Sequence, residues 1–227
     1  MIKTLKTKDI LYIELKGKVI NGDLEPDVPI VEDMIAKEFE VSRTPLREAL
    51  QRLELEGWLT RQRNGRLKVS PISVNEVKEV FQVRSRLEGL IATEAVKKAT
   101  NKDIMELENI TNLMVNSAEE DRRSDAVRFG TEFHRYLYEL SNHQTAIKML
   151  EQINDRIGRY RRIGPTRSSK RSLSAANEHQ QIFDFFANGD YENCGRSMET
   201  HISNSLNSAV RSIEEYLTTR TSEEIDE

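Results

Sequence analysis

VSRTPLREALQRLELEGW, residues 41–58, sets Arg43 and Arg47 four residues apart at the head of an apolar-periodic run, directly after Ser42. At about 100° per residue, Leu46, Ala49, Leu50 and Leu53 share one arc of a helix, and Arg43, Thr44, Arg47 and Gln51 form the neighbouring polar arc. Ser42 is the expected N-cap, and Pro45 suits the first turn, where the amide it lacks would have no partner. Upstream, Ile10, Ile13, Leu15, Val19 and Ile20 read as an amphipathic helix over 8–21 that stops at Asn21-Gly22, where glycine supplies the left-handed C-cap. A second short helix runs through Ile30, Met34, Ile35 and Ala36, and FEVS (residues 39–42) turns the chain into the third. The order spells a helix-turn-helix whose leucine face packs and whose arginine face looks outward. Residues at the start of such a third helix enter the DNA major groove, where arginine donates two hydrogen bonds to guanine.

The next stretch, GWLTRQRNGRLKVS (residues 57–70), alternates apolar and polar residues around Asn64-Gly65, a strong hairpin signal. It reads as a wing that offers Arg63, Asn64, Gly65 and Arg66 to the phosphate backbone or the minor groove, with Trp58 and Leu59 anchoring its base. Charge agrees with this. Residues 41–68 carry seven cations against three carboxylates, a local +4 on a chain whose total is −4. A basic patch on an otherwise acidic protein fits a DNA reader; a solvated helix face and a purely structural hairpin are the alternatives.

The chain has 227 residues, 37% of them hydrophobic, 6% aromatic and 32% charged, which predicts a mainly α protein of two domains. The winged helix-turn-helix occupies 1–72. SVNE (Ser73 to Glu76) reads as a capping box opening an all-helical domain over 73–219, with helices near 73–99, 101–119, 122–141, 144–163, 172–188 and 190–217. The acidic end, 220–227, is expected to be disordered. A lone cysteine, Cys194, excludes an internal disulfide, and neither a signal segment nor a membrane-length apolar run is evident, so a cytoplasmic protein without membrane partners is expected.

Three of the four histidines sit on inward-facing stripes of the second domain: His134 with Val127, Gly130 and Leu137, His179 with Ala175, Ile182 and Phe186, and His201 with Met198. Each alone is an ordinary core residue; together they are also a set of imidazole ligands for a transition ion. His143, in SNHQ, is expected at the surface. The run Arg156, Arg159, Arg161, Arg162, Arg167, Lys170 and Arg171 reads as a solvated face, with a DNA contact as the alternative.

NGDLEP, IVEDMIAKEFEVSRTPLREALQRLELEGWL and their spacing resemble the winged helix-turn-helix of GntR-type bacterial transcription regulators over roughly residues 10–70. The resemblance implies that Ser42, Arg43, Thr44 and Arg47 contact operator DNA. Asp27 and Glu40 stand where that family commonly has glycine, which predicts altered turn geometry, and Gly65-Arg66 inverts the usual order in the wing. The second half, through VRSRLEG, FHRYLYELSN, EHQQIFDFFANGD and METHI, resembles the FCD effector domain of the FadR-like branch. That implies a homodimer on a short palindrome and a divalent metal (Zn, Ni or Mn) held by His134, His179 and His201, with a small carboxylate completing the coordination. The Asp usual one turn before the first of these histidines is replaced by Gly130. Arg84, Arg156 and Tyr160 are the candidate effector-binding residues, with an ion pair to Glu88 as the alternative for Arg84. The competing functions are a metal-free regulator sensing an organic ligand, a constitutive architectural DNA binder, and a three-His metalloenzyme, for which no nucleophile constellation is present.

Overall fold

The computed structural model describes residues 6–163 and 168–223. Its elements are α1 (Thr7–Asn21), α2 (Glu32–Glu38), α3 (Arg43–Leu55), β1 (Leu59–Arg61), β2 (Leu67–Val69), α4 (Val74–Lys98), α5 (Asn101–Glu119), α6 (Arg123–Ser141), α7 (Gln144–Ile163), α8 (Ser169–Ala187) and α9 (Tyr191–Glu223). They form two compact units. One holds the chain up to Ser73 together with Asp155–Ile163 of α7; the other holds Val74–Asn154, α8 and α9.

In the first unit, Leu11, Leu15 and Val19 of α1 close on Leu46, Ala49, Leu50 and Leu53 of α3, with Trp58, Leu59, Leu67 and Val69 completing the core. The inward stripe of α1 differs from the expected one. Ile10 and Ile13 are 46% and 50% exposed, because the i, i+4 series 11, 15, 19, joined by Tyr12, defines an arc that excludes them. Gly22 ends α1 in the left-handed conformation, its amide donating to the Val19 carbonyl at 3.4 Å. Ser42 has the extended backbone of an N-cap, yet among the described residues its side chain accepts no capping hydrogen bond.

The two departures from glycine do not alter their turns. Asp27 and Glu40 adopt the left-handed region themselves, at φ 67° and 52°. Glu40 sits in a Schellman closure of α2, with Glu40 N donating to Lys37 O and Val41 N to Ala36 O. The helix-turn-helix geometry is therefore kept, at the steric cost that a β-carbon meets in this conformation, about 1–2 kcal/mol.

β1 and β2 pair antiparallel in the register Leu59↔Val69, Thr60↔Lys68 and Arg61↔Leu67. Gln62 N donates to Arg66 O and Gly65 N to Gln62 O, and Gly65 alone of the tip residues has positive φ, at 82°. The connection is a three-residue loop closed by a left-handed glycine. Asn64 does its part through its side chain, which accepts from Arg66 N at 3.0 Å.

In the second unit α4 lies along α9, and Gly89 and Gly195 set how closely they approach: a β-carbon on either would fall 3.1 Å from the other's carbonyl oxygen. Thr100 and Asp103 form a capping box on α5. Ser168 caps α8 by accepting from Arg171 N, which starts that helix at 169 rather than 172. His143 is half-buried and its Nδ1 accepts from Ala146 N at 3.3 Å, so it caps α7. Helix α9 continues to Glu223, four residues into the stretch expected to be disordered; residues 224–227 lie outside the described residues.

Candidate functional site

Along α3, Arg43, Thr44, Arg47 and Gln51 are exposed on the side away from the leucines, and Ser42 precedes them at the helix start. The wing tip exposes Arg63, Asn64, Gly65 and Arg66. Two of the arginines are paired with the first turn of α2: Arg47 Nε lies 2.9 Å from Glu32 Oε2, and Arg43 Nη2 lies 2.8 Å from Asp33 Oδ1. The wing is braced by Arg61, which binds Glu54 through Nε at 2.8 Å and Nη2 at 2.5 Å and donates from Nη1 to Gly65 O at 2.9 Å.

Behind the wing, Glu56 gathers polar partners. Tyr12 Oη donates to it at 2.5 Å, Arg52 Nε at 3.1 Å and Trp58 Nε1 at 3.3 Å. Burial alone would raise the Glu56 pKa; hydrogen bonds from Tyr12 and Arg52 and the charge of Lys16 outweigh it and hold the carboxyl below its ordinary value. Arg156 belongs here. Its Nη2 donates to the Glu56 carbonyl at 2.7 Å, and its guanidinium lies 5.4 Å from the Trp58 ring centre. Tyr160, buried, falls in the same unit. Arg156 is thus engaged within the first unit by Glu56 and Trp58, partners about a hundred positions away that local sequence does not encode. The side chains of Arg161, Arg162 and Arg167 lie outside the described residues.

In the second unit α6, α8 and α9 bring His134, His179 and His201 together. All three are buried, and one nitrogen from each lies within 4.8 Å of the other two. Every ring has its Nδ1 engaged by an acceptor: His134 by Glu88 Oε2 at 3.0 Å, His179 by Ala175 O at 2.7 Å and His201 by Glu178 Oε2 at 2.6 Å. A carbonyl can only accept, so His179 carries a proton on Nδ1, and the two glutamates likewise offer acceptors to Nδ1 of His134 and His201. His134 Nε2 and His179 Nε2 are 3.4 Å apart. A proton, as a hydrogen bond, or a metal ion can join two ring nitrogens at that distance.

The carboxylates are positioned in turn. Arg84 Nε and Nη2 both lie 3.0 Å from Glu88 Oε1, which also accepts from Tyr138 Oη at 2.7 Å. Burial would raise the pKa of Glu88, but the charges of His134 and Arg84 and the hydrogen bonds of His134 and Tyr138 hold it well below the usual carboxylate range. Glu178 accepts from Arg171 Nη1 at 3.1 Å and Asn204 Nδ2 at 3.1 Å, and it too is lowered against its burial, by His201 and Arg171. His201 is pushed down to about 4, chiefly by burial and also by the neighbouring His134, against the pull of Glu178. Arg84 is therefore engaged with Glu88, the alternative reading of that residue, and through it adjoins His134. Glu178 and Arg171 are residues that sequence reading does not place at this centre, and Glu88 enters it only as a partner for Arg84; the signals are the Arg84/Glu88 spacing of four and the adjacency of Glu178 to His179.

This arrangement fits a transition ion. Three imidazoles, each oriented by a hydrogen bond at Nδ1, are how proteins present nitrogen ligands. Gly130 stands one turn before His134, and a β-carbon there would be 3.9 Å from His179 Nε2, so the position borders the centre without contributing a donor.

Residues 7–69 match the family described as bacterial regulatory proteins, gntR family, and residues 79–204 match the FCD domain. The chain belongs to the GntR family of DNA-binding transcriptional regulators, in its FCD-domain branch. Among similar proteins, YdhC, an HTH-type transcriptional regulator of Bacillus subtilis, is 29% identical over 76% of this chain and 77% of its own. The Nta operon transcriptional regulator of Aminobacter aminovorans is 28% identical over 81% and 85%. In fold, Escherichia coli McbR/YncC superposes over 92% of this chain and 99% of its own with a TM-score of 0.68 at 19% identity. The family is one of regulators, not enzymes, which removes the metalloenzyme alternative. Among the described residues no helix is long and apolar enough to cross a membrane.

Proposed function

We propose that this regulator binds its operator as a homodimer, through Arg43, Thr44, Arg47 and Gln51 of α3, Ser42 at its start, and the wing residues Arg63, Asn64, Gly65 and Arg66. Each copy presents one recognition helix to a major groove of a short palindrome. Operator affinity is modulated at the three-histidine centre, which takes up a transition ion; with a divalent ion such as Zn, Ni or Mn, a small carboxylate supplies the negative charge that the three imidazoles lack. When bound, the ion supplies Lewis acidity toward that anion. His134, His179 and His201 hold it, Glu88 and Glu178 orient two of the rings, and Arg84 and Arg171 anchor those glutamates. The ligand acts by binding one arrangement of the protein better than another. The protein works in the cytoplasm.

The observation that supports this reading is the convergence of three buried imidazoles, each with Nδ1 held by an acceptor and with one nitrogen from each within 4.8 Å of the other two. The test is elemental analysis of purified, untagged protein beside His179→Ala. About one transition ion per chain, lost in the variant, is expected. Protein that takes up no ion, even after dialysis against zinc together with acetate, would instead make the centre a metal-free pocket for an organic ligand.

A further inference from the structure

The centre is unusual in its charge. Of the carboxylates that touch its histidines, Glu88 is paired with Arg84 and Glu178 with Arg171, so both are balanced before any ion arrives. The ligands themselves are imidazoles, which bring no negative charge. A divalent ion placed among them brings two uncompensated charges into a buried site, and a monovalent ion only one. Position 130 has no side chain to correct this.

That same position is bordered by sulfur. A β-carbon on residue 130 would lie 3.4 Å from Met114 Sδ and 3.8 and 3.9 Å from Cε1 and Nε2 of His179. Met114 is 2% exposed and packs with Ala118, Ala126, Phe129 and Ala176. Its thioether and the Nε2 edge of His179 thus both border the space that a side chain at position 130 would occupy. A thioether is neutral, soft and carried on three rotatable bonds. Thioether sulfur together with imidazole suits copper(I), whereas hard ions such as manganese prefer oxygen ligands.

We propose that the centre binds copper(I) without any added anion, through His134, His179 and His201 with Met114 as fourth ligand, whereas divalent ions are held only together with an anion. This rests on the reading above that the three histidines bind a transition ion. It makes the regulator responsive to copper(I) through the loss of one carboxylate at Gly130 and the presence of one sulfur at Met114.

The test uses the full-length protein, stripped of metal, in wild-type, Met114→Leu and Gly130→Asp forms, each checked for unchanged helical circular dichroism. Copper(I) affinity is measured anaerobically by competition with bicinchoninate, and zinc affinity with a chromophoric chelator, each with and without acetate. The expected result is one copper(I) per wild-type chain, at an affinity indifferent to acetate, and a fall of at least tenfold in Met114→Leu with zinc affinity unchanged. Zinc affinity should rise with acetate in the wild type and rise without it in Gly130→Asp. X-ray absorption of the copper form should show a sulfur neighbour that Met114→Leu lacks. Zinc binding with no competitive copper(I) binding, or copper(I) binding indifferent to Met114→Leu, overturns this proposal and leaves the three-histidine reading standing. Binding of neither ion overturns both.

Discussion

Arg47 Nε is held 2.9 Å from Glu32 Oε2, so the guanidinium at the centre of the recognition face already has a carboxylate partner on α2. The pair is well exposed, and such pairs contribute about 0–1 kcal/mol. A bidentate arginine–guanine contact discriminates by about 1–3 kcal/mol, so exchange of Glu32 for a base is favourable. Arg47→Ala is expected to weaken specific binding by that larger amount. Glu32→Gln, which releases the arginine, should strengthen binding up to severalfold and steepen its salt dependence. Fluorescence anisotropy on an operator enriched from random DNA measures both. Wild-type affinity in Arg47→Ala would remove this residue from the interface.

Glu40 occupies a left-handed turn without being glycine. Relief of about 1–2 kcal/mol of steric cost, less the entropy of about 0.5–1 kcal/mol that glycine loses on folding, leaves Glu40→Gly more stable by about 0–1.5 kcal/mol. Urea denaturation should show a higher midpoint at unchanged slope. A lower midpoint would mean that the Glu40 side chain contributes more than its backbone costs.

Glu56 has its folded-state pKa below the ordinary value of 4.5 despite partial burial. Its stabilising effect is therefore complete above about pH 5 and is lost as the pH falls through the folded value. The melting temperature of Glu56→Gln should lie below that of wild type at pH 7, with the gap narrowing as the pH drops toward 3.5. A gap independent of pH would show that the hydrogen bonds of Glu56 matter and its charge does not.

Arg156 donates to the Glu56 carbonyl and lies against Trp58. Arg156→Ala should cost about 1–2 kcal/mol, the worth of a charged hydrogen bond and a cation–π contact. Metal uptake at the three histidines should be unchanged, as followed by elemental analysis alongside denaturation. Loss of metal in this variant would return Arg156 to the neighbourhood of the centre.

Cys194 is buried, with its thiol pushed up to about 12 chiefly by burial and also by the nearby charge of Asp190. The thiolate is the reactive form, so the folded protein should resist iodoacetamide at pH 8 and react fully in denaturant, as mass spectrometry would register. Rapid labelling of the native protein would contradict that burial.

Periodicity and punctuation made most of this protein legible in advance. Leu46, Ala49, Leu50 and Leu53 repeat at helical spacing, Gly22 and Gly65 mark backbone that only left-handed conformations satisfy cheaply, and His134, His179 and His201 fall on apolar stripes. These are local properties, written in the order of residues. What they left undetermined was anything set by a partner distant in sequence. The inward arc of α1 depends on α3, so Ile10 and Ile13 read as core and are exposed. Arg156 and Tyr160 sit in an arginine-rich helix whose second half packs with residues a hundred positions away. Convergence of the three imidazoles, the glutamates that orient two of them and the sulfur of Met114 beside Gly130 needed the packing of α4, α5, α6, α8 and α9. Short-range sterics and hydrogen bonding shape the elements, while burial of their apolar faces against one another decides which side chains meet.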